Sequence, residues 1–132
     1  MTLEPEWLTV DDLVAIHSRQ LAEHGGGDDI RDLGLLDSAR ARPQFTWQYA
    51  ETPADLATLG AALAFGIITD HPFIDGNKRT GYVACRLFLV LNGVDLEASA
   101  DDKYLAIYAV AAGARSENDL ADWIRHHVVT LD

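Results

Sequence analysis

Two strongly apolar runs close to one another constrain this chain more than anything else in it. LGAALAFGIIT (59–69) has no charged residue, and YVACRLFLVLNG (82–93) has Arg86 alone. Helices made from such runs have little surface to give to water, so both are expected to be central. The longest nearly uncharged stretch, Leu56 to Thr69, is too short to cross a bilayer and contains Gly60 and Gly66. Between the runs lies HPFIDGNKRTG (71–81), which packs His71, Asp75, Asn77, Lys78 and Arg79 into nine consecutive positions. A fold that buries both runs must hold this polar loop at their junction.

The length of 132 residues and 48% hydrophobic content suit one domain, residues 1–132, with a sizeable core. Ten Lys/Arg against 21 Asp/Glu give a formal charge of −11, which repels phosphate backbones and disfavours nucleic acid as a direct partner. Six of the ten cations fall into two groups: Arg31, Arg40 and Arg42, and Lys78, Arg79 and Arg86. That clustering suits a local anion site better than a basic face. The single cysteine, Cys85, excludes an internal disulfide framework and is expected to be a buried helical thiol. MTLEPEWLTVDD has no basic region followed by an apolar run, so a cytoplasmic protein without a secretory signal or membrane anchor is expected.

Along the chain, Thr9 can cap a helix that opens at VDD, continues through Leu13, Ile16 and Leu21, and stops at Gly25–Gly27. A second short helix is expected over 30–42, ended by Pro43, with PQFTWQYAET following as an exposed loop or small hairpin. Thr52–Pro53 reads as the start of the third helix, and Asn77 opens the fourth, which Gly93 closes. Asp101 to Ala112 form the fifth, and Ser116 with Asp119 caps a last helix running through VVTL. VDLEAS is the sole strand candidate. The expected fold is all-α, a bundle of about six helices with two buried central ones flanking the loop.

A helix beginning at Asn77 turns its free N–H groups and positive dipole end toward the loop, which makes an anion site. Lys78 and Arg79 can add charge-assisted contacts, and the arginine grips phosphate oxygens two at a time. Gly76 permits a tight turn or a close ligand approach. Asp75 beside a polyphosphate suits Mg²⁺, which favours one or two carboxylates plus phosphate oxygens. His71 can take a proton from an attacking hydroxyl at neutral pH. Phe73 and Ile74 can pin the loop into the core. Each residue alone has an ordinary structural explanation, but a turn needs no adjacent histidine, lysine and arginine. Together they describe phosphate-group transfer from a nucleotide to a hydroxyl.

Other motif readings fail. There is no Gly–Lys pair for a P-loop and no G-x-S-x-G. His71 and Asp75 lack a third metal ligand at a recognisable spacing, and the neighbouring His126 and His127 face different directions on a helix. Cys85 lies in an apolar helix, which disfavours a thiolate nucleophile.

HPFIDGNKRTG resembles the signature of the Fic/Doc superfamily, H-x-F-x-[D/E]-[G/A]-N-[G/K]-R. With WLTVDDLVAIHSRQLAEHGG, IRDLGLLDSARARPQ and AFGIITDHPFIDGNKRTGYVACRLFLVLNG, residues 7 to 95 resemble its death-on-curing (Doc) branch. Fic-branch members typically transfer AMP from ATP to a hydroxyl. Doc members are toxin halves of toxin–antitoxin modules and act as protein kinases on elongation factor Tu. Lys78 stands where AMP-transferring members usually have glycine, and Tyr82 where they carry a second arginine. Both departures are shared with the Doc branch and imply transfer of the ATP γ-phosphate. The resemblance makes His71 the base, Asp75 the Mg²⁺ ligand, and Gly76, Asn77, Lys78 and Arg79 the nucleotide-binding group, with Arg79 also catalytic. It puts PQFTWQY in the place of a target-docking flap. Alternatives from the same resemblance are an AMP transferase and a catalytically silent binding partner. The inhibitory pattern [S/T]-x-x-x-E-[G/N] is absent, since Gly113 stands four residues before Glu117–Asn118. Inhibition is therefore expected from outside, by a Phd-like antitoxin folding over the active site.

Overall fold

The apolar run before the loop becomes the centre of the molecule. The computed structural model describes residues 3–27 and 29–131. Their elements are α1 (Val10–His24), α2 (Leu33–Tyr49), α3 (Leu56–Asp70), α4 (Asn77–Leu91), β1 (Val94–Leu96), α5 (Ala100–Ala111), α6 (Glu117–His127) and β2 (Val128–Thr130). The fold is all-α apart from the β1–β2 ribbon, as the sequence led one to expect.

α3 is buried on almost every side, and α2, α4 and α6 pack against it. Its small residues let those neighbours come close. A Cβ on Gly66 would lie 3.3 Å from the Ala39 Cα on α2, and one on Gly81 of α4 would lie 2.8 Å from the Ile68 Cγ1 on α3. α4 buries one face, Thr80, Gly81, Ala84, Cys85, Phe88 and Leu89, and leaves Lys78, Arg79 and Arg86 exposed on the other. No helix among the described residues is long and apolar enough to cross a membrane.

Several boundaries differ from the expectation, each for a physical reason. α2 does not stop at Pro43 but continues to Tyr49, so PQFTWQY is helical rather than a loop or hairpin. A proline inside a helix costs about 3 kcal/mol, because it removes one amide bond and crowds the preceding turn. Packing offsets this cost: Pro43 is itself buried, Trp47 packs on the core, and Arg42 reaches Glu117 while lying over the Phe65 ring. α2 also begins later than residue 30, at Leu33, because the Asp32 side chain accepts from the Leu35 N–H. α3 begins at Leu56 rather than Thr52, since Asp55 caps it. α6 ends at His127. The β-branched VVT that follows pairs antiparallel with β1, Val94 opposite Thr130 and Leu96 opposite Val128. Thr9 caps α1 and Ser116 pairs with Asp119 at α6, as expected, and Asp12 completes a capping box at Thr9 as well.

Candidate active site

Five helices carry a side-chain cap at their start, from Thr9, Asp32, Asp55, Ser99 and Ser116. α4 carries none. Its N-cap is Gly76 at φ 80, a left-handed conformation that favours glycine, and no side chain among the described residues bonds to the first turn. The helix's own bonding resumes only with the Thr80 N–H on the Gly76 carbonyl, at 2.9 Å. The amides of Asn77, Lys78 and Arg79 are therefore left facing the loop at the positive end of the dipole.

The loop before α4 is fastened on several sides. Phe73 is 1% exposed and belongs to the core, as expected for the pin. Ile74 does not share that role: it is exposed and lies over the turn at Gly27. Asn77 is buried, and its amide is closed on the loop's own backbone. Nδ2 donates to the Phe73 carbonyl at 2.9 Å, and Oδ1 accepts from the Phe73 N–H at 3.0 Å. The Asn77 side chain is thus committed to the loop, which leaves its backbone N–H as the group that can face an anion. Residues 29–32 run beside the loop. The Arg31 and Asp32 amides donate to the Pro72 carbonyl, the Ile74 amide donates to the Asp29 carbonyl, and Ile30 bridges to Phe73.

His71 caps the C-terminus of α3 and is the one non-glycine residue at positive φ among the described residues, at φ 51. Such a conformation costs a non-glycine residue about 1–2 kcal/mol and needs outside support. Arg31 provides it, donating from Nε to the His71 carbonyl at 2.6 Å and from Nη2 to the Asp70 carbonyl at 2.7 Å. The His71 side chain itself is exposed. Asp75 is exposed as well, with Oδ1 accepting from the Gly76 N–H at 2.8 Å.

The two cation groups separate. Arg31 serves backbone carbonyls, Arg40 binds Asp37 and Gln44, and Arg42 binds Glu117, so the first group is not an anion site. Arg86 leaves the second group: it pairs with Asp95 through two hydrogen bonds that hold the Asp95 carboxyl below its usual range. Lys78 and Arg79 have no carboxylate within ion-pair distance among the described residues. With Lys103 they line a groove of about 620 Å³ between α1, α4 and α5, walled by Tyr82, Tyr104 and Tyr108. The Lys78 Nζ lies 5.8 Å over the Tyr108 ring and the Lys103 Nζ 6.0 Å over that of Tyr82, which suits cation–π attraction.

No group of three or more His, Cys, Asp and Glu that could hold a metal exists among the described residues. One exposed carboxylate, Asp75, still fits Mg²⁺, which keeps several waters and shares phosphate oxygens. Cys85 is buried, and burial pushes its thiol up to about 12, which leaves it inert. His126 and His127 bond through Nδ1 to the Asp122 and Trp123 carbonyls of their own helix.

The sequence model of the Fic/DOC family matches residues 7–89, more than half of the chain. This chain belongs to the Fic/DOC family. It is 44% identical over 77 residues to a protein named Toxin Doc from Mycolicibacterium smegmatis, a match covering 58% of this chain and 59% of that one. It is 30% identical over 118 residues to Protein kinase doc of Escherichia phage P1, covering 89% of this chain and 92% of the phage protein. The chain thus spans less than two thirds of the first relative and nearly all of the second. In this Fic/DOC chain the structure brings together His71, Asp75, Gly76, Lys78 and Arg79 at one loop and helix start. Sequence reasoning missed two supports of that loop, His17 and Arg31. A histidine in the buried stripe Leu13, Ile16, His17, Gln20 was the available signal for the first.

Proposed function

We propose that this Fic/DOC chain is a Doc-type toxin, a protein kinase that transfers the γ-phosphate of ATP to a Ser/Thr hydroxyl of a translation factor of the elongation factor Tu class. The observation that carries the reading is the start of α4, which has no side-chain cap from Gly76 and sets Lys78 and Arg79, without a carboxylate partner among the described residues, a few positions from the exposed His71. The names of the two relatives, a toxin and a protein kinase, support it. Lys78 and Tyr82, which depart from the AMP-transferring pattern, favour phosphoryl over AMP transfer.

The helix-start amides and the Lys78 and Arg79 side chains bind and orient the phosphates, and Arg79 stabilises the charge that spreads over the transferred group. Asp75 holds the nucleotide's Mg²⁺, which supplies charge neutralisation on the phosphate oxygens. His71 accepts the proton of the acceptor hydroxyl. The hydroxyl oxygen bonds to the γ-phosphorus as the bond to the β,γ-bridging oxygen breaks, and ADP leaves. A Phd-like antitoxin covering this site would silence it. The apolar, cation-rimmed groove next to Lys78 and Arg79 supports such a partner.

The test is a reaction with elongation factor Tu and ATP labelled at either the γ- or the α-phosphate. Transfer of the γ-label alone is expected, while transfer of the α-label would replace the kinase with an AMP transferase. If neither label moves and His71→Ala still arrests bacterial growth, catalysis is not the source of toxicity.

A further inference from the structure

His17, on α1, is 2% exposed, yet it has a polar partner in the active-site loop. Its Nε2 lies 2.8 Å from the Asp75 carbonyl oxygen, and because a carbonyl only accepts, Nε2 carries the proton. The ring lies flat on Phe73, with centroids 3.7 Å apart and planes 6° apart. It also lies under Gly76, where an added Cβ would be 3.6 Å from the His17 Cδ2. One imidazole therefore stacks on Phe73, bonds to the Asp75 carbonyl and fills the space beside Gly76. The turn that ends α1 reaches the same aspartate from the other side. Gly26 sits at φ +122, and a Cβ there would lie 2.7 Å from the Asp75 Oδ2. Only glycine leaves that space for the carboxylate.

We infer that His17 and Gly26 are positioning residues for Asp75, His17 fixing its main chain and Gly26 admitting its carboxylate. The inference rests on the reading above, in which Asp75 holds the Mg²⁺ of the nucleotide. Residues that orient a metal ligand without touching the metal matter most when the ligand set is small, and here the protein supplies one carboxylate. A packing role alone would need only the flat ring on Phe73.

Two substitutions at His17 separate the roles. His17→Phe keeps the stack and loses the donor, whereas His17→Gln loses the stack and keeps an N–H at the same distance along the side chain. Calorimetric binding of ATP to the full chain, in Mg²⁺ and in EDTA, gives the metal's advantage as a ratio of two Kd values. His17→Phe is expected to cut that advantage about tenfold with the EDTA value unchanged, while His17→Gln stays within about threefold of the parent. Gly26→Ala, on an exposed turn, is expected to match His17→Phe and keeps the test open should His17→Phe fail to fold. An undiminished advantage in both His17→Phe and Gly26→Ala overturns the inference, as does His17→Gln behaving no better than His17→Phe. A parent chain with no Mg²⁺ advantage overturns the functional reading itself, and the inference with it.

Discussion

At the start of α3 the chain supplies its own anion. Asp55 accepts from the Thr58 N–H and hydroxyl and is gripped by the Arg125 guanidinium from α6, with Nε at 2.7 Å. At the start of α4 the equivalent place is held by Gly76, and among the described residues no carboxylate caps the first turn or pairs with Lys78 and Arg79 beside it. Both helices belong to the central packing, and they begin in opposite ways. A filled start stabilises a helix by about 1 kcal/mol; an open one forgoes that and leaves a binding site. The difference locates function in this chain: where an element of the core declines a stabilising cap that its neighbours take, a ligand is expected to supply it.

The largest effect should come from removing the base beside the open start. His71→Asn keeps a residue that tolerates the left-handed conformation but cannot serve as a general base, and phosphoryl transfer should fall about 100-fold or more with little change in melting temperature. A transfer rate within a few-fold of the parent would remove His71 from the chemistry. Next comes the staple that shapes that start. Asn77→Ala orphans the Phe73 amide and carbonyl in a buried setting and should cost about 2–4 kcal/mol in denaturant unfolding, with nucleotide binding weakened as the loop loosens.

The filled start should behave in the opposite manner. Asp55→Ala should lose about 1–2 kcal/mol of stability while leaving ATP affinity unchanged. Its pH dependence follows from the hydrogen bonds to Arg125, which hold the Asp55 carboxyl well below the usual carboxylate range. In acid the unfolded chain takes up this proton first, so folding is penalised as pH falls. The Asp55 contribution is complete above the unfolded pKa of about 4 and drains below it, so the gap between parent and Asp55→Ala should be flat near neutrality and narrow in acid. A gap that widens on acidification would contradict the assignment. The smallest effect belongs to Thr80, a fully buried first-turn neighbour whose hydroxyl has no hydrogen-bond partner among the described residues. Thr80→Val replaces that hydroxyl with a methyl, so stability should hold or rise by less than about 1 kcal/mol in a thermal melt.

Much of this was legible in the sequence because it is local. The capping pairs at Thr9 and Ser116, the apolar α3 and the cluster from His71 to Arg79 are all written within a few residues of each other. What was not legible depends on contacts across the chain. Pro43 reads as a helix stop, and only the packing of Trp47 and the reach of Arg42 to Glu117 explain why α2 continues. Arg31 reads as one of a cationic group, but its partners are the carbonyls of Asp70 and His71, some forty positions later. VVT reads as the tail of a helix until β1 is placed beside it. Asn77 shows the limit within the site itself: its place in the motif is plain, whereas the commitment of its amide to Phe73 is visible only in three dimensions.

The contrast between the two helix starts can be measured in one titration. Backbone amide resonances of the ¹⁵N-labelled chain, followed as MgATP is added, should move most at Asn77, Lys78 and Arg79 and stay still at Leu56, Ala57 and Thr58. Shifts confined to residues away from the start of α4, with those three amides unmoved, would contradict the claim that this open helix end is where phosphate binds.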